Sequence, residues 1–575
     1  MSRGAETKQK TARRFAGRVT LVSVFFTILA TSLLARAVHL QVLSKDFLNQ
    51  QADSRHLRTE KISAHRGSIT DRRGEPLAIS TPVDSVWANP QELAAAVDDV
   101  PRLAATLGLD AQLLMRRITD STNKEFLYLK RHLNPAQAAK VMALKLPGVN
   151  VLREYRRYYP AGEVAGHLVG FTDVDDSGQE GIELAFNHWL GGEPGAKRVL
   201  KDRLGRAVEN VESIRPPHHG RDLRSSIDLR LQYLAYRSLK ASIQEHKAGS
   251  GSMVILDVKT GEVLAMVNQP SYNPNDRSQY LPERIRNRAI TDIFEPGSSI
   301  KPLILAAALE SGQYKSSSYV DTSPGFVIVG PKKIEDHRNL GRISLTTILS
   351  RSSNVGVTKI AMSLQPDQLW STMKRFGLGS MTASGFPGES AGLLTHYNHW
   401  RPISQATLAY GYGISVTPLQ LAQAYAALGN DGVLNPVSLV ALDKPAPSER
   451  IMSSETATAI LQMMEEVVKP GGTGTKAAVK GYRVAGKTGT AWKFAAGGYS
   501  KDKYLSIFAG MAPASDPRLA AVVIINEPGG DLYYGSDVAA PVFAEVMTES
   551  LRLMAIPPDA LPARDAGGVM QAMSQ

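Results

Sequence analysis

The sequence predicts an α/β (α+β) protein. A large domain over residues 218–560 would carry a central antiparallel sheet flanked by helices, a mixed module would occupy 39–217, and one transmembrane helix would run over 19–38. Three observations lead there. A basic leader enters an apolar stretch that carries no charge. Strand-like runs flank a group of apolar helical segments in the C-terminal part. A Pro/Gly-containing break, IRPPHHGRD at 214–222, separates the two parts that follow the apolar stretch.

The leader contains Arg3, Lys8, Lys10, Arg13, Arg14 and Arg18 against the single acid Glu6, and Val19 to Ala35 then runs for seventeen residues without a charge. A helix of that length covers roughly 25 Å, and Arg18 and Arg36 can snorkel at its two ends. Positive charge before the span places residues 1–18 in the cytoplasm and everything after it outside. A cleaved signal peptide is the alternative, with Ala35-Arg36-Ala37 as a small-x-small site, but the apolar run exceeds a usual signal core.

Bulk composition bounds the rest. A chain of 575 residues, 43% apolar and 21% charged, fits a globular protein of several domains. Part of the net charge of +12 sits in the leader, so the basic balance does not imply nucleic acid. The absence of cysteine excludes disulfides, thiol catalysis and Cys-ligated zinc. His218 and His219 lie in a loop without a His-Glu-x-x-His motif and read as solvated; no metal and no cofactor is expected.

Residues 40–60 read as a polar helical stalk. From Ser63 to Leu204 short β-like runs such as SVWAN alternate with helical ones such as PQELAAAVDDV and PAQAAKVMALK. Beyond the break, LRLQYLAYRSLKASIQEH from Leu229 predicts a helix. GSMVILDVKTGEVLAMVNQP predicts a hairpin around Lys259-Thr260-Gly261. SSIKPLILAAALESG from Ser298 predicts a buried helix stopped by Gly312, and PLQLAQAYAALGNDG another helix. YRVAGKTGTAWK, YLSIFAGMAP and LAAVVIINEP read as strands, and residues 561–575 as a flexible tail.

Three short motifs follow one another: Ser298-x-x-Lys301, Ser352-x-Asn354 and Lys487-Thr488-Gly489-Thr490. Each recurs elsewhere, as Ser121/Lys124, Ser371/Lys374 and Ser500/Lys503, as Ser121/Asn123 and Ser271/Asn273, and as the second Lys-Thr-Gly at Lys259. Context separates the chosen set. Ser298 follows Glu295-Pro296-Gly297 and opens an apolar helix, where the helix dipole favours developing negative charge. Lys301 is one turn on, and burial beside another cation would free its amine to act as a base toward the Ser298 hydroxyl. The plainer reading is a helix cap with a solvated lysine. Ser352 and Asn354 lie between two helical stretches, where a loop could offer a hydroxyl and an amide to a cleft; taken alone, ordinary capping of the second helix is the favoured reading. Lys487 with the hydroxyls of Thr488 and Thr490 makes a receptor for a carboxylate, and Gly489 would admit a substrate backbone. Gly481 with Gly486-Lys487-Thr488 also fits a phosphate loop. That reading lacks the required helix after it, since GTAWKFAAGGYS follows.

The ordered set resembles the active site of penicillin-binding proteins and serine β-lactamases. Further segments resemble the class B penicillin-binding proteins. They are Arg66-Gly67 with Asp71-Arg72 and Gly74, RRYYPAGEVAGHLVGF at 156–171, Gly181-Ile182-Glu183, Asp202-Arg203-x-Gly205-Arg206, and GYGISVTPLQLAQAYAALGNDG from Gly411. The division-specific branch of Gram-negative bacteria is the nearer, ahead of the elongation-specific paralogue. The resemblance implies a penicillin-binding transpeptidase fold with an elongated pedestal or dimerisation-type module before it. It implies a peptidoglycan D,D-transpeptidase of the septum that works through a Ser298 acyl-enzyme and is acylated by β-lactams. Lys301 would be the base. Ser352 and Asn354 would relay protons and hold the substrate amide. Lys487, Thr488 and Thr490 would bind the terminal carboxylate, and the N–H groups of Ser298 and Thr490 would form the oxyanion hole. Implied partners are peptidoglycan stem peptides, a lipid II polymerase of the SEDS class and other divisome membrane proteins. A D,D-carboxypeptidase, a β-lactamase, or a β-lactam sensor that does not turn over shares the chemistry but lacks the N-terminal module or needs more membrane spans.

Overall fold

The computed structural model describes residues 3–45, 57–62, 64–201, 207–495 and 498–560. The expected stalk falls largely outside the described residues, as do the motif at 202–206 and the tail at 561–575. The N-terminal helix Arg3–Val38 continues through a π-turn, His39–Leu43, and its apolar stretch Phe15–Leu43 is long enough to cross a bilayer. Thr20, Thr27 and Thr31 each donate their hydroxyl to the carbonyl four residues back, so these three hydroxyls are satisfied within the helix.

The chain forms two compact units that interleave along the sequence. One comprises Met1–Ala64, Pro82–Glu154 and Glu193–His219; the other comprises His65–Thr81, Tyr155–Gly192 and Gly220–Gln575. Two stretches of the expected 39–217 module therefore pack in the same unit as the C-terminal part.

In the first unit, residues 84–88 pair antiparallel with the strand Leu127–Leu133. The helices Val100–Leu107, Ala111–Thr119 and Pro135–Met142 bury Leu103, Leu107, Leu114, Ile118 and Val141 in a core with Val86 and Leu129. Gly108 ends the first of these helices at φ +64°, and Asp110 caps the second by accepting the Leu113 N–H.

The second unit is built on five antiparallel strands: β1 (Ser250–Asp257), β2 (Val263–Gln269), β3 (Ala485–Ala495), β4 (Gly498–Ala512) and β5 (Leu519–Asn526). Their order is β2-β1-β5-β4-β3, so β3 lies at an edge. The β1–β2 turn is the second Lys-Thr-Gly: the Asp257 carboxylate accepts the Lys259 and Thr260 N–H groups, and Gly261 sits at φ +76°.

Alternation along the strands feeds two cores. Val254, Leu256, Val522 and Ile524 face one cluster, whereas Met253, Ile255, Val523 and Ile525 face the other. The helices are α1 (Leu229–Glu245), α2 (Lys301–Glu310), α3 (Asn354–Ser363), α4 (Pro418–Gly429), α5 (Ser454–Val468) and α6 (Ala540–Leu553). Residues of α2, α3, α4 and α5 fill the first cluster, and residues of α1 and α6 fill the second. Every residue of α4 is buried, which fits its position in the middle of the domain rather than on a surface.

The motifs at 66, 157 and 183 meet in this unit. The Glu183 carboxylate, fully buried, accepts the Arg66 Nε–H at 2.7 Å and the Arg157 Nε–H at 2.6 Å. Arg66 also donates to the Asn187 side chain and to the Asp176 and Glu183 carbonyls. Asp71 accepts the N–H groups of Arg73 and Glu75 on one oxygen and that of Leu229, the first residue of α1, on the other.

Candidate active site

The turn before Ser298 is tightly built. Gly297 has φ +52°, a conformation that favours glycine, and its N–H donates to the Gly411 carbonyl. Ser299 donates its hydroxyl to the Pro296 carbonyl at 2.6 Å, and the buried Tyr425 hydroxyl of α4 donates to the Ser299 carbonyl at 2.7 Å. A 3-10 turn, Gly297–Ile300, then runs into α2, which starts at Lys301 with Pro302 in its first turn and ends before Gly312. Ser298 itself is half-buried, while the helix behind it is buried almost throughout.

Lys301 is completely buried, and its ammonium has three acceptors: the Ser352 carbonyl at 2.7 Å, the Ser352 Oγ at 3.2 Å and the Asn354 Oδ1 at 2.7 Å. Among the described residues its hydrogen bonds run to these two residues and none to Ser298, so the direct contact expected between the 298 hydroxyl and the 301 amine is not made in this structure. Burial pushes the Lys301 ammonium well below the usual lysine range, Lys487 pushes the same way by like charge, and Asp336 opposes both.

Capping of α3 falls to the residue between Ser352 and Asn354. The cap of α3 is Ser353, whose Oγ accepts the Gly356 N–H. Ser352, at φ +56°, and Asn354 are thereby turned toward Lys301. An acid that sequence reasoning missed holds this arrangement. The Asp336 carboxylate accepts the Ser353 hydroxyl at 2.5 Å and the N–H groups of Asn354 at 2.6 Å and Val355 at 3.1 Å. It sits just after the hairpin Phe326–Val329/Lys332–Glu335, amid exposed charges, and no local pattern singles it out.

Lys487, Thr488, Gly489 and Thr490 all lie on β3, facing Ala509 to Ser506 of β4 in register. Lys487 is completely buried, and burial pulls its ammonium down to about 7. It donates to the Thr488 carbonyl at 2.9 Å and approaches the Thr488 hydroxyl at 3.3 Å, and that hydroxyl bonds to the Thr473 hydroxyl. The Thr490 hydroxyl accepts the Gly535 N–H.

The strand passes directly beside the nucleophile turn. A Cβ on Gly489 would lie 3.1 Å from the Pro296 carbonyl, and one on Gly297 would lie 3.4 Å from the Thr490 carbonyl. Gly489, expected to admit a substrate backbone, thus makes room for the protein's own turn. A phosphate loop is ruled out: Gly486-Lys487-Thr488 is paired strand that continues to Ala495, with no helix directly after it among the described residues, and a Cβ on Gly486 would meet the Phe508 ring at 2.5 Å.

Three stretches far apart in sequence therefore share one locus. A hydroxyl at the start of a buried helix, two buried lysines with depressed affinity for protons, an amide side chain and an edge strand suit acyl transfer at a carbonyl next to an anion.

The sequence model of the penicillin binding protein transpeptidase domain matches residues 251–548, and that of the penicillin-binding protein dimerisation domain matches 61–225. The chain is similar to the peptidoglycan D,D-transpeptidase FtsI of Escherichia coli strain K12, with 46% identity over 538 residues, 93% of this chain and 91% of the relative. It is 40% identical over 548 residues to FtsI of Buchnera aphidicola subsp. Schizaphis graminum, 94% of this chain and 96% of the relative. Among solved structures, a peptidoglycan synthetase from Bifidobacterium adolescentis aligns with TM-score 0.72 at 26% identity, covering 89% of this chain and 99% of that one. The apo transpeptidase domain of penicillin-binding protein 3 from Burkholderia pseudomallei aligns with TM-score 0.54 at 39% identity, covering 59% of this chain and 98% of that one.

Proposed function

The chain belongs to the penicillin-binding protein transpeptidase family, as a class B member with both a dimerisation and a transpeptidase domain, and from that premise we propose that it is a serine-type peptidoglycan D,D-transpeptidase of septal wall synthesis. The observation that carries this reading is the convergence of Ser298, the buried Lys301 with Ser352 and Asn354, and the edge strand bearing Lys487.

In the proposed reaction the Ser298 Oγ attacks the carbonyl of the penultimate D-Ala of a donor stem peptide, and its proton passes to a neutral Lys301 amine. The carbonyl oxygen takes up negative charge beside the Ser298 and Thr490 N–H groups; removing one such donor typically costs about two to three powers of ten in rate. The amide bond breaks and the terminal D-Ala leaves as an amine, protonated through Ser352. An amino group of a neighbouring stem peptide then attacks the Ser298 ester, gives up a proton, and regenerates the hydroxyl. Asn354 holds the donor amide, and Lys487, Thr488 and Thr490 receive the terminal carboxylate. A β-lactam presents the same carbonyl and carboxylate and stops at the acyl-enzyme. The N-terminal helix anchors the chain in the inner membrane with its first residues in the cytoplasm and the catalytic unit outside. The other membrane proteins of the septum, a SEDS-class lipid II polymerase among them, are its partners.

The test is fluorescent-penicillin labelling of wild type and Ser298→Ala, followed by product analysis on peptidoglycan. Labelling that requires Ser298, with crosslinked dimers formed, supports the reading. Water as the sole acceptor would make the protein a carboxypeptidase instead.

A further inference from the structure

On the outer edge of β3 a backbone group on each side of Thr490, the Thr488 carbonyl and the Trp492 N–H, is already hydrogen-bonded. Among the described residues only β4 pairs with β3, and the Trp492 N–H leaves the sheet to donate to the Tyr412 hydroxyl at 3.2 Å. By the two-residue period of the strand, the N–H and C=O groups of Thr488 and Thr490 face the same way as those of Trp492. The outward Thr488 carbonyl is taken by the Lys487 ammonium. Between these two stoppers lies the rung of Thr490, whose carbonyl faces the Gly297-Ser298 turn.

Tyr412 is firmly held in its place. Its ring meets that of Tyr499 edge-on at 5.2 Å. The Tyr499 hydroxyl donates to Glu295 Oε1 at 2.9 Å, and the same oxygen accepts the N–H of Gly413, the residue after Tyr412, at 2.7 Å. Glu295 is three residues before Ser298, so the tyrosine is tied to the nucleophile turn itself.

We propose that Tyr412 is a specificity-determining residue: its hydroxyl occupies the rung beyond Thr490, so an extended donor peptide adds to β3 through one residue only, and the chain upstream of that residue must leave the strand. An edge strand with several open rungs would take an added peptide strand along its length; here the bonding capacity is confined to the residue whose carbonyl reacts. This rests on the donor-peptide reading of the site.

The test uses three acyl donors. The first is an N-acetyl-D-alanyl thioester. The second carries two further α-linked residues upstream, which brings a carbonyl opposite Trp492, and the third is identical to the second but has that carbonyl replaced by methylene. Wild type should give kcat/KM values for the two long donors within about twofold of each other. In Tyr412→Phe, which keeps the ring on Tyr499, the Trp492 N–H is released, and the carbonyl donor should gain roughly fivefold over its methylene analogue, the typical worth of one hydrogen bond. Equal ratios in both proteins, or a wild type that already prefers the carbonyl donor, would overturn the proposal. Hydrogen exchange at the Trp492 amide gives a readout independent of turnover: it should quicken in Tyr412→Phe, and an unchanged rate means that the hydroxyl does not close the edge. If no donor and no penicillin acylates wild type, the transpeptidase reading fails, and the exchange measurement alone decides whether the edge is closed.

Discussion

Replacing Asp336 with Asn should cripple acylation without touching any residue of the three motifs. The carboxylate accepts three hydrogen bonds, from the Ser353 hydroxyl and from the Asn354 and Val355 N–H groups at the start of α3. Hydrogen bonds to an ionised acceptor are worth about 1.5–3 kcal/mol each. Asn keeps one acceptor oxygen and turns an amide toward at least one of these donors, so the net loss is about 2–3 kcal/mol. Part of that loss falls on positioning. Ser352 is held at φ +56°, a conformation that costs a non-glycine residue about 1–3 kcal/mol, and the bonds on either side of it maintain it. Asp336 also favours the charged form of Lys301, so its loss lowers the proton affinity of that amine further. The second-order rate constant for acylation by benzylpenicillin should fall roughly 10–100-fold. The acid limb of its pH profile should move to lower pH, and Tm should drop by several degrees. A rate within threefold of wild type with the same pH profile would refute the role given to Asp336.

Four further outcomes are expected. Acylation by a carboxylate-bearing penicillin should weaken as pH rises through about 7, where Lys487 loses its charge, whereas a neutral ester of the same penicillin should lack that limb; stopped-flow acylation checks it. Stability should rise with pH between about 7 and the ordinary lysine value, because in that window the unfolded chain binds the Lys487 proton and the folded one does not, and Lys487→Met should flatten the slope. His167 is buried, its ring bonded to the Arg284 carbonyl, and burial pulls it down to about 4. The unfolded chain therefore holds the extra proton between 6.5 and 4, stability falls by up to about 3 kcal/mol as pH drops through that range, and His167→Gln should remove the loss in denaturant titrations. Glu183→Gln leaves Arg66 and Arg157 buried without their shared anion and should cost about 3–5 kcal/mol, read as a lowered Tm.

Local physics made much of the fold legible. The helix from Leu229 has a 3.6-residue apolar period and Asp228 as its cap, and the β1–β2 hairpin has a turn that a Lys-Thr-Gly sequence can close. The three motifs were distinguishable from their copies because only Ser298 follows a Pro-Gly turn and opens an apolar helix. Lys259, in the competing Lys-Thr-Gly, is spent on a surface ion pair with Asp516. What stayed hidden depends on long-range register. Ile69 pairs with Leu223 and Tyr159 bonds to Asn275, and such pairings pull His65–Thr81 and Tyr155–Gly192 into the catalytic unit without leaving a periodic trace. Asp336 looks like any charge in a loop until the start of α3 is brought onto its carboxylate. Tyr412 and Glu295 lie in segments that the sequence singles out, but their roles there were hidden, because each acts on a backbone N–H that another element presents. The lysine bond is instructive in the same way. One-turn spacing brings Lys301 near Ser298, but three acceptors from residues 352 and 354 claim the ammonium.

In this cleft the Ser298 Oγ is the atom proposed to accept the acyl group. Intact-protein mass spectrometry after incubation with benzylpenicillin, with peptide mapping of the adduct, tests it most directly. One adduct per chain, on the peptide containing Ser298 and absent from Ser298→Ala, is the predicted result. An adduct that persists in Ser298→Ala, or that maps to another peptide, would contradict it.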